Sequence, residues 1–452
     1  MLPFFPAFVF AQTPAPTPTP QEIVVPRQVR PLPGQLDDTL QFNSNSPELV
    51  GSEGILLSTF PAAGQQHPSA HLNVPLMGRF EIFAHHVFRA IAPDNLTSLY
   101  LGILLHNPGE QPVTVDVISA ASYLSQPDAP FVALPGWVEN RDGSVFAGPG
   151  SRVMDDVLRG RRGAAFPDRL VMPPGSYRLL LNAPIPVATL DPPLNGRSTL
   201  ARLRSDGAVY AASLALFARR DAEGVEQAPP LEDWVNLLET GDLATPRDRI
   251  PTPPGEPGSV IYGRVAGVAQ GSRWATRITD EPDGPHLSIP PAGSGLSYPL
   301  SSLVAGRLGS GQVQTAPLVE RYADTAYAAH GNYGVEYDLA LPLHNPTPQS
   351  QRVAIALETP IKEDTLSQAG LRFFDPLPPQ TFFRGTVRVR YPDSRGLTRT
   401  RYVHLVQRRG DRSAPLALLE LPPGSRRLVR VTFLYPPDAT PPQVLTLQTL
   451  SN

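Results

Sequence analysis

Leu101-Gly102-Ile103-Leu104-Leu105-His106-Asn107-Pro108 and Leu339-Ala340-Leu341-Pro342-Leu343-His344-Asn345-Pro346 are one pattern written twice. In each copy every second residue is apolar until the chain reaches His-Asn-Pro. The alternation then resumes, at Val113, Val115 and Val117 in the first copy and at Val353, Ile355 and Leu357 in the second. An apolar period of two marks a strand with one buried face. Asparagine before proline is pushed out of the helical region, so each copy predicts strand, turn, strand.

A second shared string follows each first one. Leu170-Val171-Met172 leads into Pro173-Pro174-Gly175-Ser176, and Leu419-Glu420-Leu421 into Pro422-Pro423-Gly424-Ser425; each is followed by another strand pattern. Proline presets the first turn position and glycine supplies the positive φ that a tight connection needs. The interval between the two strings holds the remaining strands of an immunoglobulin-like sandwich of roughly 100 residues. The expected fold is therefore mainly β, with two tandem, diverged, immunoglobulin-like β-sandwich halves. Residues 21–245 form the first half, 246–258 a Pro/Gly linker, and 259–452 the second.

Local signals fill in this plan. Residues 200–217 read as a hairpin turning at Ser205-Asp206-Gly207, and residues 384–391 and 401–407 as another, joined by 393–396. Two short helices are predicted. Leu231, Trp234, Val235 and Leu238 share a helical face, with Glu232 and Asp233 in the first turn and Gly241 as the stop. Val153, Met154, Val157 and Leu158 repeat that spacing after Ser151, a candidate N-cap.

Composition narrows the class. The 452 residues include 55 prolines and 36 glycines, about a fifth of the chain, which argues against a mainly helical protein. There is no cysteine, which excludes disulfides, thiolate metal sites and cysteine nucleophiles. Lys362 is the only lysine, so a Schiff base or a phosphate-loop lysine is possible nowhere else. The net charge of −3 and the scattered arginines speak against nucleic acid as a partner. The densest basic cluster, Arg159, Arg161 and Arg162, follows a predicted helix, whose C-terminus it complements.

Residues 1–10 are almost wholly apolar, and Val9-Phe10-Ala11 has the small or aliphatic pattern of a signal-peptidase site, without a basic n-region. The expectation is the remnant of a longer signal peptide. Alternating proline with threonine or alanine over 13–20 reads as an extended spacer, so residues 1–20 lie outside the folded halves. No stretch is long and apolar enough for a transmembrane helix. The expected place is the periplasm, outer envelope or extracellular medium.

Several longer strings carry a resemblance: Asn43-Ser44-Asn45-Ser46-Pro47, the segment from Gly78-Arg79-Phe80 to His85-His86, residues 261–273, and Tyr435-Pro436-Pro437-Asp438-Ala439-Thr440-Pro441-Pro442. In these the chain resembles the exported proteins grouped as domain of unknown function 3370, found in cyanobacteria. The resemblance spans about residue 22 to the C-terminus. It implies location and lineage and carries no reaction and no functional residue.

The chain contains no Gly-x-Ser-x-Gly elbow, His-Glu-x-x-His helix, phosphate-binding loop, dinucleotide fingerprint or calcium loop. Histidine offers one sharper idea. His85 with His106, and His330 with His344, form a pair in each half that could ligate a transition metal; the preferred reading is that His106 and His344 cap strand ends. No cofactor is expected. Trp137 and Trp274 lie near polar, Gly-rich segments, where an exposed ring would stack on sugar. Asp155-Asp156 and Asp37-Asp38 read as solvated helix or loop faces.

The leading function is a non-enzymatic envelope or secreted protein with a structural, adhesive or surface-interaction role and a cell-wall or surface polysaccharide as partner. A wall polysaccharide or peptidoglycan hydrolase using dispersed carboxylates is the first alternative. A periplasmic carbohydrate- or metal-binding module is the second.

Overall fold

The repeated strings meet in space. In the computed structural model, which describes residues 19–90, 92, 94–393 and 395–451, Leu99–His106 runs antiparallel to Tyr177–Ile185, with Tyr177 opposite His106. Glu336–His344 runs antiparallel to Arg426–Leu434, with Arg426 opposite His344. Beyond the Asn-Pro turns, Val113–Leu124 pairs with Arg169–Met172 and Gln351–Glu358 with Ala417–Leu421. Each His-Asn-Pro string thus carries the chain out of one strand pair into a second, and each Pro-Pro-Gly-Ser string carries it back beside the exit.

A buried asparagine fastens each crossing. Asn107 and Asn345 are wholly buried. The Asn107 amide donates to the carbonyls of Gln111 (2.8 Å), Met172 (3.0 Å) and Pro173 (3.2 Å). The Asn345 amide donates to those of Gln349 (2.7 Å), Leu421 (2.9 Å) and Pro422 (3.2 Å). The backbone adds a reciprocal pair: Gly175 N–H to Asn107 O and Asn107 N–H to Ser176 O, matched by Gly424 with Asn345 and Asn345 with Ser425. Gly175 and Gly424 sit at φ +67° and +64°, left-handed conformations that disfavour any residue with a Cβ.

The alternating residues pack as their period requires. Leu101, Ile103, Leu105, Val113, Val115, Val117 and Met172 share one core; Leu339, Leu341, Leu343, Val353, Ile355, Leu357 and Leu421 share a second. Leu104, on the other face of its strand, is buried too, because helix α2 (Leu231–Thr240) covers it with Trp234 and Leu238. The helix runs where its periodicity places it and ends at Gly241. Among the described residues the chain holds 28 strands and two α-helices, so it is mainly β, with several sheets.

Other local readings need correction. Residues 194–217 form no hairpin but one strand, Leu194–Phe217, long enough to pair with Leu76–Arg89 at one end and Leu99–His106 at the other. Asp-Gly makes an irregularity here rather than a turn. Asp206 accepts the Thr114 backbone N–H (2.7 Å), and a Cβ on Gly207 would lie 2.5 Å from Val113 Cγ2, so glycine permits close strand contact. The hairpin of Thr381–Pro392 with Thr398–Arg408 forms as expected.

Helix α1 (Pro149–Leu158) begins two residues before Ser151, which sits in its first turn and donates to the Ala147 carbonyl (2.9 Å). The Asp438 carboxylate, from the other end of the chain, accepts the Ser151 backbone N–H (3.2 Å). Strand pairing also crosses residues 246–258. Leu40–Ser44 pairs with Ala266–Gln270, Gln21–Val25 with Leu371–Asp375, and Trp137–Glu139 with Thr398–Arg408. Residues 246–258 carry no regular element, and Arg247 is held by two hydrogen bonds to Asp324 (2.7 and 2.9 Å). Residues 1–18, with the apolar run and most of the Thr-Pro spacer, lie outside the described residues.

Candidate functional site

The strand Leu40–Ser44 lies between Leu76–Arg89 and Ala266–Gln270, which brings three of the unusual strings side by side. Ser44 Oγ is 2.9 Å from His86 Nε2, and His86 Nδ1 is 2.8 Å from the Pro47 carbonyl. Burial, reinforced by the nearby His85, holds His86 down to about 4, so it is a neutral connector. The Asn45 backbone N–H donates to Val265 O (2.8 Å), and Arg264 pairs with Glu48 and Asp248.

Where this strand ends, a cavity of about 220 Å³ opens, bounded by Asn43, Asn45, Tyr262, Arg264, His330 and Lys362. Tyr333, Thr440 and Pro441 close it, so the fourth unusual string reaches it as well. Asn43 is 2 % exposed and Asn45 5 %, yet neither side-chain carbonyl oxygen has a donor. Both oxygens are themselves buried, behind the cavity's accessible wall. The His330 Nδ1 is also buried without a partner. Burial, with the Lys362 charge beside it, holds His330 down to about 4.

Lys362 Nζ donates to the Tyr262 hydroxyl (3.2 Å) and stands 4.8 Å from that ring's centre, while the His330 ring lies 4.8 Å from it. Among the described residues no carboxylate reaches Lys362. Its neighbours Glu363 and Asp364 are taken by Arg372 (3.4 Å) and Arg307 (2.6 Å). Burial lowers the Lys362 pKa from its ordinary value, as expected for a cation without a counter-charge.

A second cleft, of about 320 Å³, is charged. Arg202 donates to Glu81 (2.9 Å) and to Glu336 (2.9 Å); Arg273 joins Glu336 (3.1 Å) to Asp338, which also holds Arg430 (2.7 Å). Glu81 is 4 % exposed, and burial pushes its carboxyl up to about 7 against the pull of Arg202. Its Oε2 has no partner.

The sequence candidates scatter. Trp274 is 4 % exposed, its indole N–H donates to Pro33 O (2.8 Å), and its ring stacks against Tyr337; its strand turns it into the second core, so it is no sugar platform. Trp137 packs against the same core, half-buried, with the Arg401 guanidinium 5.2 Å from its ring. His85 contacts Ser198 (2.8 Å) and Glu48 (3.6 Å). His106 stacks on Tyr177 (4.3 Å) and meets the Ser176 carbonyl (3.3 Å). His85 and His106 therefore share no partner.

His344 stacks edge-on against His286 (4.4 Å), whereas His330 lines the cavity. The proposed metal pairs are not assembled, and among the described residues no three His, Asp or Glu side chains are placed to hold a metal. Asp155 and Asp156 are not solvated. Helix α1 is covered by neighbouring strands, and the two pair with Arg159 (2.9 Å) and Arg161 (2.8 Å), which also absorbs most of the basic cluster.

Asn43, Asn45, Tyr262 and Glu81 escaped the search for motifs. All four lay inside the unusual strings (residues 43–47, 78–86 and 261–273), but the contacts that set them apart exist only in the fold. Lys362 was visible as the sole lysine.

These features define a mainly β protein in which three of the single-copy strings meet at one cavity. The chain belongs to the family described as protein of unknown function (DUF3370), whose model matches residues 27–449. No curated protein matches the sequence.

Proposed function

We propose that the chain is an exported envelope or secreted protein, non-enzymatic, that holds a wall or surface polysaccharide through the Lys362 cavity. The observation that carries this reading is a cavity of about 220 Å³ at which Lys362, its Nζ donating to the Tyr262 hydroxyl (3.2 Å), has no carboxylate partner among the described residues. A largely apolar concave site with one charged group suits recognition. Among the described residues nothing there pairs a nucleophile with a base.

The apolar start and the Thr-Pro spacer support export to the periplasm, outer envelope or medium, and the resemblance supports a cyanobacterial source. The twice-made asparagine clasp supports reading the scaffold as two diverged, immunoglobulin-like sandwiches that later interlocked. No helix among the described residues is long and apolar enough to cross a membrane.

One observation favours hydrolysis as the second reading: Glu81, a carboxyl titrating near neutrality in a cleft beside Glu336. Glycosidases need two carboxylates free to flank a bond, and here Arg202 holds both. Incubating the purified protein with isolated cell wall, and measuring pelleted protein together with released sugar, separates the readings. Retention without release is expected; release without retention overturns the proposal in favour of the hydrolase.

A further inference from the structure

We infer that the Lys362 cavity takes a small organic carboxylate, with the carboxylate on Lys362 Nζ and a short apolar body against the half-buried Tyr262 and Tyr333 rings. This rests on the reading of the cavity as a recognition site and names the chemistry of the group it receives.

The charge is single and held in place. Of the other cationic groups at the cavity, Arg264 is matched by Glu48 and Asp248 (3.6 Å), and His330 is neutral near pH 7. Lys362 is the formal charge left over. The Tyr262 hydroxyl donates to the Val304 carbonyl and accepts from Lys362 Nζ (3.2 Å), so it positions the cation without neutralising it. The lysine stem passes Gly306, where a Cβ would lie 2.9 Å from Lys362 Cε; glycine leaves the room the stem needs. Two of the three N–H donors remain, enough for the two oxygens of a carboxylate. An ammonium partly removed from water attracts an anion more strongly than a solvated one does.

The wall decides what the anion carries. Around the cation the lining is largely apolar, with Tyr262, Val265, Leu303, Ala329, Tyr333 and Pro441. Such a lining gains from burying carbon and favours an acid with an apolar body over a bare hydrated anion. The Asn43 and Asn45 oxygens lie behind this wall and take no part. The volume, about 220 Å³, lies below the roughly 300–1,000 Å³ of drug-sized sites and limits the body to a few carbons or one aromatic ring. The acid is then either free or a substituent of the wall polymer.

The single lysine makes the test direct. The full chain, isotope-labelled at the lysine ε-carbon, gives one lysine resonance, followed by NMR during titration with acetate, butyrate, benzoate, benzyl alcohol and inorganic phosphate. Butyrate and benzoate are expected to shift it saturably and to raise the lysine's pKa, which burial lowers in the free protein. Butyrate should bind about tenfold more tightly than acetate, since each buried methylene is worth roughly threefold to fourfold. Benzyl alcohol should be weaker than benzoate by about tenfold or more, the worth of a charge-assisted hydrogen bond. Lys362→Met keeps the stem and removes the charge; with an unchanged melting curve, it is expected to erase benzoate's advantage in calorimetry. Butyrate or benzoate releasing the protein from isolated cell wall assigns the acid to a wall substituent. Retention that persists with the cavity saturated assigns it to a free acid and takes the wall contact elsewhere.

Phosphate binding as tightly as butyrate overturns the carboxylate assignment, and acetate binding as tightly as butyrate overturns the apolar body. If no acid moves the lysine resonance while Lys362→Met lowers retention on cell wall, this inference falls and the cavity stands as the wall contact. If neither the acids nor the substitution has an effect, both fall.

Discussion

Asn345→Asp exchanges one N–H₂ for an oxygen and leaves the shape of the side chain unchanged, which makes it a sharp probe of the clasp. The native amide has two hydrogens, shared among the carbonyls of Gln349 (2.7 Å), Leu421 (2.9 Å) and Pro422 (3.2 Å). Its oxygen accepts from the Thr347 backbone N–H (3.0 Å) and hydroxyl (2.7 Å). Asn345→Ala strips all of these, while the carbonyls keep other donors: the Thr347 hydroxyl on Gln349 O (3.0 Å), the Ser425 hydroxyl on Pro422 O (2.6 Å) and the Ser350 hydroxyl on Leu421 O (3.5 Å). A hydrogen bond contributes about 0.5–1.5 kcal/mol net, so losing the whole set should cost roughly 2–4 kcal/mol. The aspartate keeps the contacts to Thr347 but aims a charged oxygen at carbonyl oxygens. Its cost at pH 7 should exceed that of alanine, at roughly 3–5 kcal/mol.

The variant also carries a pH signature. Carbonyl oxygens raise the carboxyl's pKa in the folded state above its unfolded value of about 3.9. Where the folded pKa is raised, stability is fully present below the unfolded value and is lost as pH rises through the folded one. The deficit relative to wild type should therefore grow from pH 4 to pH 7, by up to about 1.4 kcal/mol per pH unit. Urea unfolding at a series of pH values, followed by circular dichroism, measures it. Asn107→Asp should behave alike, since the same geometry is made by Gln111, Met172 and Pro173. A deficit below about 0.5 kcal/mol at pH 7, within the range of ordinary surface substitutions, would refute the clasp as a determinant of the fold.

Two further substitutions test the cleft and the covered strand. Glu81→Gln should gain stability relative to wild type as pH rises from 4.5 to 7, because the native carboxyl titrates at about 7 and the unfolded one near 4.5. The gain should approach roughly 3 kcal/mol, and subtracting the wild-type curve cancels the histidines; a difference that stays flat with pH would sink the reading of Glu81 as a buried acid. Gly102→Ala places a Cβ 2.7 Å from the Trp234 ring, so the denaturation midpoint should fall by an amount worth about 1–3 kcal/mol. An unchanged midpoint would show that α2 does not press on this strand.

The strands were legible because burial leaves a periodic trace: Leu101, Ile103 and Leu105 read as one face and pack as one. The α2 helix was legible for the same reason. What failed were inferences from turn chemistry and exposure. Asp206-Gly207 has the composition of a hairpin turn, but Gly207 serves close contact with Val113, and composition does not distinguish a bend from a gap for a neighbour. Ser151 has an N-cap's composition, but the carboxylate at that helix start comes from Asp438, 287 positions along the chain. Trp274 has polar neighbours in sequence and apolar ones in space, because an alternating strand turns every second residue inward.

The candidate site was hidden for a different reason. What the repeated strings explain occurs twice: the clasps, the alternating cores and the returning strands each accompany both copies. The Lys362 cavity is made once. Asn43 and Asn45 come from before residues 246–258, while Tyr262, His330 and Lys362 come from after. The pairing of Leu40–Ser44 with Ala266–Gln270 brings the two groups together. Dividing the chain at its proline-rich middle, as its composition invites, separates the residues that line one cavity. It also sends the search for histidine pairs within each half, where His330 has Tyr262 and Lys362 for company and not His344. The repeated strings thus account for the two matching crossings, and the cavity lies where strand pairing joins residues from before and after 246–258.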